Sequence, residues 1–118
     1  MPSEKDPEKA RTQDKDKLGA IRNGLLEFVV LNVISAQKVY AADILAMLAP
    51  TEFLTQEGTL YPLLSKLRRE SLLDYSWKES DTGPPRKYYS LTDKGKDRLS
   101  DLKKYWEEIT KTIKNLAK

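Results

Sequence analysis

Between Thr55 and Thr92 the apolar positions change their period once, and the change outlines two kinds of element. In the stretch Thr55-Gln56-Glu57-Gly58-Thr59-Leu60-Tyr61-Pro62-Leu63-Leu64-Ser65-Lys66-Leu67-Arg68-Arg69, residues Leu60, Leu63, Leu64 and Leu67 fall on one side at about 100° per residue, and Gly58, Tyr61, Pro62, Ser65 and Arg69 on the other. This spacing predicts a helix with one face for a core and one free to meet a partner. After Ser71, Leu73, Tyr75 and Trp77 alternate with Asp74, Ser76 and Lys78, the pattern of a strand with one apolar face. Residues Glu79 to Pro85, around Gly83-Pro84-Pro85, are expected to turn the chain, and Arg86 to Leu91 to return it. Only one of Tyr88 and Tyr89 can point inward by alternation, and Tyr89 is assigned that role.

Upstream, the apolar positions from Leu18 to about Ala36 surround most of a helix, as expected for one buried between its own domain and a second subunit. The Val29-Val30 pair also suits a buried strand, but the length favours helix. A second helix is expected from Ala41 to Ala49, stopped by Pro50, with Ile44, Leu45 and Leu48 inward and Pro50 to Leu54 as a turn. Thr55 is then placed to cap the following helix, with Glu57 adding negative charge near its N-terminus. Two short helices joined by a tight turn make a helix-turn-helix whose second member enters a DNA major groove, and the hairpin after it is a wing. Thr92 and Asp93 are candidate caps of a last helix, in which Leu99, Leu102, Trp106, Ile109, Ile113 and Leu116 recur at spacings of 3, 4, 3, 4 and 3. That narrow seam predicts an isologous dimer with this helix packed on its partner. The fold class expected is mainly α with a small β-hairpin: a winged helix-turn-helix over residues 18–92 and a long dimerisation helix over 93–118.

At 118 residues and 39% hydrophobic composition the chain can form one small core. It has no cysteine and no histidine, which removes thiolate nucleophiles, disulfides, the usual zinc ligands and the commonest general base. An enzyme is therefore not expected, and no metal or cofactor. A formal charge of +3 permits an anionic partner without demanding one, and between Thr55 and Arg98 nine basic residues stand against seven acidic. Residues 1–17 carry five basic and five acidic side chains and two prolines, and read as a flexible charged arm or a frayed helix extension. The most apolar run, Leu25 to Ile34, is broken by Glu27 and Asn32, so no membrane span is expected, and a start bearing Glu4, Asp6 and Glu8 does not suit a secretory signal. A cytoplasmic protein is the expectation.

For double-stranded DNA as partner, cations and donors are needed on the open face of the third helix and on the wing. Lys66, Arg68, Arg69, Arg86 and Lys87 supply the cations, and Gln56, Thr59, Tyr61 and Ser65 are candidates for base-edge or phosphate contact. Pro62 beside Tyr61 is tolerated only where no amide is required.

At Gly58-Thr59-Leu60-Tyr61-Pro62-Leu63-Leu64-Ser65-Lys66-Leu67 and Gly83-Pro84-Pro85-Arg86-Lys87-Tyr88-Tyr89-Ser90-Leu91-Thr92-Asp93-Lys94-Gly95 the chain resembles the PadR family of transcriptional regulators. The resemblance runs from about Leu18 to Leu116 and is closest to the short subgroup that ends in a single dimerisation helix. It implies a homodimer on a palindromic operator, usually a repressor, released in many members by a small molecule. In the short subgroup a tryptophan at the position of Trp106 can help enclose a small aromatic effector, although a tryptophan in a heptad seam also serves simply as dimer core. The chain departs from the family at Lys38-Val39-Tyr40, where His-Gly-Tyr is commoner, at Ser71, where glycine usually ends the recognition helix, and at Ser90, where a basic residue is frequent. The alternative is a winged helix used only as a protein–protein interaction module without DNA binding, its leucine helix and heptad seam recruiting another chain.

Overall fold

The structure, a computed structural model, describes the backbone of residues 7–118 and the side chains of residues 18–118. Its elements are α1 (Pro7–Ala36), β1 (Val39–Tyr40), α2 (Ala41–Leu48), α3 (Glu57–Arg69), β2 (Leu73–Ser80), β3 (Gly83–Leu91) and α4 (Asp93–Leu116). Of the arm expected over residues 1–17, the first six residues and all the side chains lie outside the described residues. The backbone of α1 begins at Pro7 and runs through Leu18 without a break. Residues 18–36 make one helical stretch of 19 residues with a mean hydropathy of 1.4, long and apolar enough to cross a membrane by length and composition. This corrects the expectation that no segment qualifies: single polar residues such as Glu27 and Asn32 do not break an average over five turns. In the fold, Val30, Leu31 and Ile34 of this stretch are core residues, and Glu27 meets Arg98 of α4 at 3.7 Å.

The core is built where the helical leucines converge. Leu60, Leu64 and Leu67 of α3 are fully buried with Ile44 and Leu48 of α2, Val30 and Leu31 of α1, and Leu72 and Leu73 at the start of β2. Thr51 closes the turn between α2 and α3, its hydroxyl donating to the Leu48 carbonyl at 2.8 Å and accepting from the Phe53 amide at 3.0 Å. The cap of α3 is Gln56 rather than Thr55, and Gln56 makes no side-chain cap bond. The carbonyl of Gln56 receives the amides of Thr59 and Leu60, both at 3.0 Å, so the first helical turn closes on backbone alone.

Helix α3 ends in a Schellman arrangement that brings the next element back to the core. Ser71 takes φ 64°, its amide donates to Arg68 and that of Leu72 to Leu67, both at 2.9 Å. Serine in this left-handed conformation carries a cost that glycine avoids, of about 1 kcal/mol. Thr92, the N-cap of α4 as expected, docks on this turn: its hydroxyl donates to the Ser71 carbonyl at 2.7 Å and accepts from the Gly95 amide at 2.9 Å. A Cβ on Gly95 would overlap the Leu72 carbonyl, so the Thr92-Asp93-Lys94-Gly95 motif is the joint between α3 and α4.

The sheet has the order β1-β3-β2 and is antiparallel. The two-residue strand β1, not expected from the sequence, pairs Val39 with Tyr89 and Tyr40 with Tyr88. The hairpin is also longer than expected, because Ser80 pairs with Gly83 and only Asp81 and Thr82 remain at the tip. Gly83-Pro84-Pro85 is therefore strand and not turn. Proline is tolerated there because β1 reaches only Tyr88, which leaves that edge of β3 unpaired at Pro84 and Pro85. A register shift between Lys78 and Ser80 absorbs the irregularity.

Candidate nucleic-acid interface

The surface opposite the leucine face of α3 is made mostly of small or polar groups, with the Tyr61 ring exposed beside them. Gly58, Pro62, Ser65 and Arg69 all lie on it and are exposed. Pro62 is the sixth residue of the helix, so the Gly58 carbonyl goes without the amide four residues on, at a place where water can satisfy it. A Cβ on Gly58 would meet nothing within 4 Å, and its φ is not positive, so neither packing nor backbone strain demands glycine here. What glycine leaves is room for another molecule to approach the helix closely.

Beside this face stands the wing, whose alternation sends its two leading cations to opposite sides of the sheet. Lys87 pairs with Trp77 and shares a face with Tyr75 and Tyr89; Arg86 pairs with Lys78 and shares the other face with Tyr88 and Tyr40. The cations lie on aromatic rings: the Lys87 ammonium is 4.7 Å from the Tyr75 centroid and 5.7 Å from that of Trp77, and the Arg86 guanidinium is 5.7 Å from Tyr40. Lys78 sits 4.9 Å from Tyr88, and Arg68 of α3 reaches across to Tyr75 at 4.4 Å. None of these cations forms an ion pair among the described residues. Tyr89 points inward as expected, at 6% exposure, and burial first, then Tyr61 and Tyr75, push its phenol above the ordinary value while Arg68 pulls it down.

Between α3, the wing and the start of α2 lies an open cavity of about 430 Å³, lined by Tyr40, Ala41, Ala42, Tyr61, Ser65, Trp77, Arg86, Lys87 and Tyr89. Four of the nine residues singled out for DNA, namely Tyr61, Ser65, Arg86 and Lys87, meet here. Gln56 and Thr59 do not: they border a second, smaller cavity on the far side of α3, with Arg22, Asn23 and Leu26 of α1 and Phe53 of the turn. Lys66 and Arg69 are exposed on the last turns of α3 and line neither. Tyr40, Tyr75, Trp77 and Lys78 had no place in the sequence-based set. Once Leu73 is set opposite Leu91, counting along the hairpin brings Trp77 to Lys87 and Lys78 to Arg86, so the signal lay in the register. An inward Trp77 was also implied by the expected apolar face, and that is corrected: at 62% exposure it has run past the end of the core.

Residues 30–101 match the PadR-like family of transcriptional regulators. The chain belongs to this family. A PadR-like transcription factor from Bacteroides fragilis is 40% identical, with 86% of this chain and 98% of that one covered at a TM-score of 0.74. A PadR-like regulator from Bacillus cereus is 36% identical over 81% of this chain and 94% of its own, with a TM-score of 0.72. A PadR family regulator from Eggerthella lenta superposes with a TM-score of 0.81 at 26% identity, covering 92% and 96%. The match holds both motifs, Gly58 to Leu67 and Gly83 to Gly95, but is narrower than the Leu18 to Leu116 extent of the resemblance. A PadR-like regulator is a DNA-binding transcription factor and not an enzyme, in keeping with a chain that lacks histidine and cysteine.

In this PadR-like regulator the final helix leaves its apolar seam largely open within the chain. Leu99 is buried at 5% and Leu102 and Ile109 are half-buried, but Trp106 is 45%, Ile113 63% and Leu116 81% exposed. On α1, Leu18 and Ile21 are likewise exposed, at 53% and 59%.

Proposed function

We propose that this PadR-like regulator acts as a homodimeric repressor that binds a palindromic operator through α3 and the wing. The observation that carries the reading is the surface around Tyr61, Ser65, Arg86 and Lys87, where unpaired cations and hydroxyl groups border the open face of α3 and no carboxylate lines the cavity between them. In this reading Ser65 and Arg69 face base edges or nearby phosphates, Tyr61 and Lys87 follow the backbone between helix and wing, and Arg86 reaches the flanking groove. Lys66 and Thr59 contact the strand on the α1 side, and Gln56 reaches a base edge there. The dimer forms along Leu102, Trp106, Ile109, Ile113 and Leu116, whose exposed members need a second apolar surface, while Leu99 is already taken up by the core of its own chain. Two copies then present their α3 helices to half-sites about 34–36 Å apart, one turn of DNA. Trp106 is the place at which a small aromatic effector would be held between subunits and release the operator. In this reading the protein works in the cytoplasm, beside its operator.

A salt titration on a duplex selected from a random pool tests the DNA interface. Affinity should fall steeply from low to moderate salt, and Arg86→Ala with Lys87→Ala should weaken every duplex alike and flatten the slope by about one for each phosphate no longer neutralised. Gln56→Ala should instead shift sequence preference. Binding that ignores salt would exclude phosphate neutralisation and favour a protein–protein module.

A further inference from the structure

Tyr75 is where the recognition helix and the wing touch the same group. It stands on β2 opposite Tyr89, half-buried, with the Arg68 guanidinium of α3 at 4.4 Å and the Lys87 ammonium of β3 at 4.7 Å from its ring centroid. The ring is itself held: Tyr89 packs at 6.0 Å with a 58° tilt, and Trp77 stands edge-on at 5.9 Å and 87°. Two like charges from different elements converge on one ring, and neither is offset by a carboxylate among the described residues. The negative face of the ring offsets their repulsion and limits where each can go. The Tyr75 hydroxyl makes no hydrogen bond among the described residues, so the ring and not the phenol carries the arrangement.

We propose that Tyr75 is a positioning residue that fixes Arg68 relative to Lys87, and thereby sets the spacing between recognition helix and wing at which the protein discriminates among DNA sequences. The role rests on the DNA-binding reading above. Removing the ring leaves both positive charges on the surface, so attraction to any duplex persists; what disappears is the pre-set distance between a cation on the helix and one on the wing. Specificity falls while non-specific affinity stays.

The test compares the wild type with Tyr75→Leu and Tyr75→Phe on a selected duplex and on a scrambled one of equal length. Tyr75→Leu should lower the ratio of the two affinities about 5- to 10-fold, the size expected when a partly desolvated cation–ring interaction is removed. Affinity for the scrambled duplex and its salt slope should stay as in the wild type, and Tyr75→Phe should keep the preference. An equal loss on both duplexes, or a Tyr75→Phe variant as unselective as Tyr75→Leu, overturns the proposal. In the free protein, NMR should show the side-chain methylenes of Arg68 and Lys87 shifted upfield by the ring, an effect abolished in Tyr75→Leu and kept in Tyr75→Phe. Absence of that shift in the wild type overturns the clamp whatever DNA does; a clear shift with no binding to any duplex overturns the DNA reading and leaves the ring interaction itself standing.

Discussion

Helices α3 and α4 carry apolar residues at the same three-and-four spacing, yet one face is sealed and the other lies largely open. Leu60, Leu64 and Leu67 have no exposed surface, whereas Trp106, Ile113 and Leu116 are 45%, 63% and 81% exposed. Periodicity tells which residues share a face and is silent on what covers it. Coverage follows from neighbours: α3 lies between α2 and the sheet, with Ile44, Leu48, Leu72 and Tyr89 around it, while α4 touches the rest of the chain through Leu99 and Leu102 and then continues beyond it. The motif that joins them makes the contrast sharp. Gly95 and Thr92 press the first turn of α4 onto the Ser71-Leu72 turn, so the final helix is anchored at one end and uncovered at the other.

The largest test of the contrast is a matched truncation. Leu64→Ala should destabilise the fold by about 2–5 kcal/mol in denaturant titration, because it opens a cavity among fully buried side chains. Leu116→Ala should change the stability of the subunit by less than about 0.5 kcal/mol. Comparable losses at both positions would mean that the two faces are equally covered. At the joint, Gly95→Ala forces a methyl group into the Leu72 carbonyl and should lower stability by about 1–3 kcal/mol, read as a drop in Tm. Ile113→Lys addresses the open face: in sedimentation it should weaken self-association by at least about tenfold, roughly 1.4 kcal/mol, while the far-ultraviolet circular dichroism of the winged domain is kept. An unchanged mass would show that the seam is not the dimer contact. The smallest effect is a gain. Ser71→Gly should raise stability by about 0.5–1 kcal/mol by relieving the left-handed serine, and should do so without altering DNA preference.

Much of the fold was legible because it rests on local chemistry. The leucine face of α3, the stop at Pro50, the Thr92 cap and the inward Tyr89 follow from helix period, proline geometry, hydroxyl capping and strand alternation, each a matter of a few neighbouring residues. The misreadings have a common cause. Strand β1 is two residues long, too short for any period to show, and exists because β3 offers Tyr88 and Tyr89 as partners. Gly83-Pro84-Pro85 looks like a turn from composition alone, but the edge of β3 beside it is unpaired and accepts prolines in a strand. Thr55 has the better capping side chain, yet α3 begins after Gln56, where the turn organised by Thr51 delivers the chain. The candidate site divides the same way: its cations could be named from the sequence, but not that Tyr61, Ser65, Arg86 and Lys87 border one cavity while Gln56 and Thr59 border another.

The sequence by itself determined the four helices and the hairpin, the two faces of α3, the heptad seam and a repertoire without histidine or cysteine, because these depend on residue identity and spacing within one element. Tertiary structure alone decided the register that sets Lys87 opposite Trp77 and Arg86 opposite Lys78, the exposure of Trp77 past the end of the core, and the meeting of Arg68 and Lys87 on Tyr75. Each of these is a contact between elements, and the distance between two elements is set by the packing of the whole core rather than by the pattern of either one.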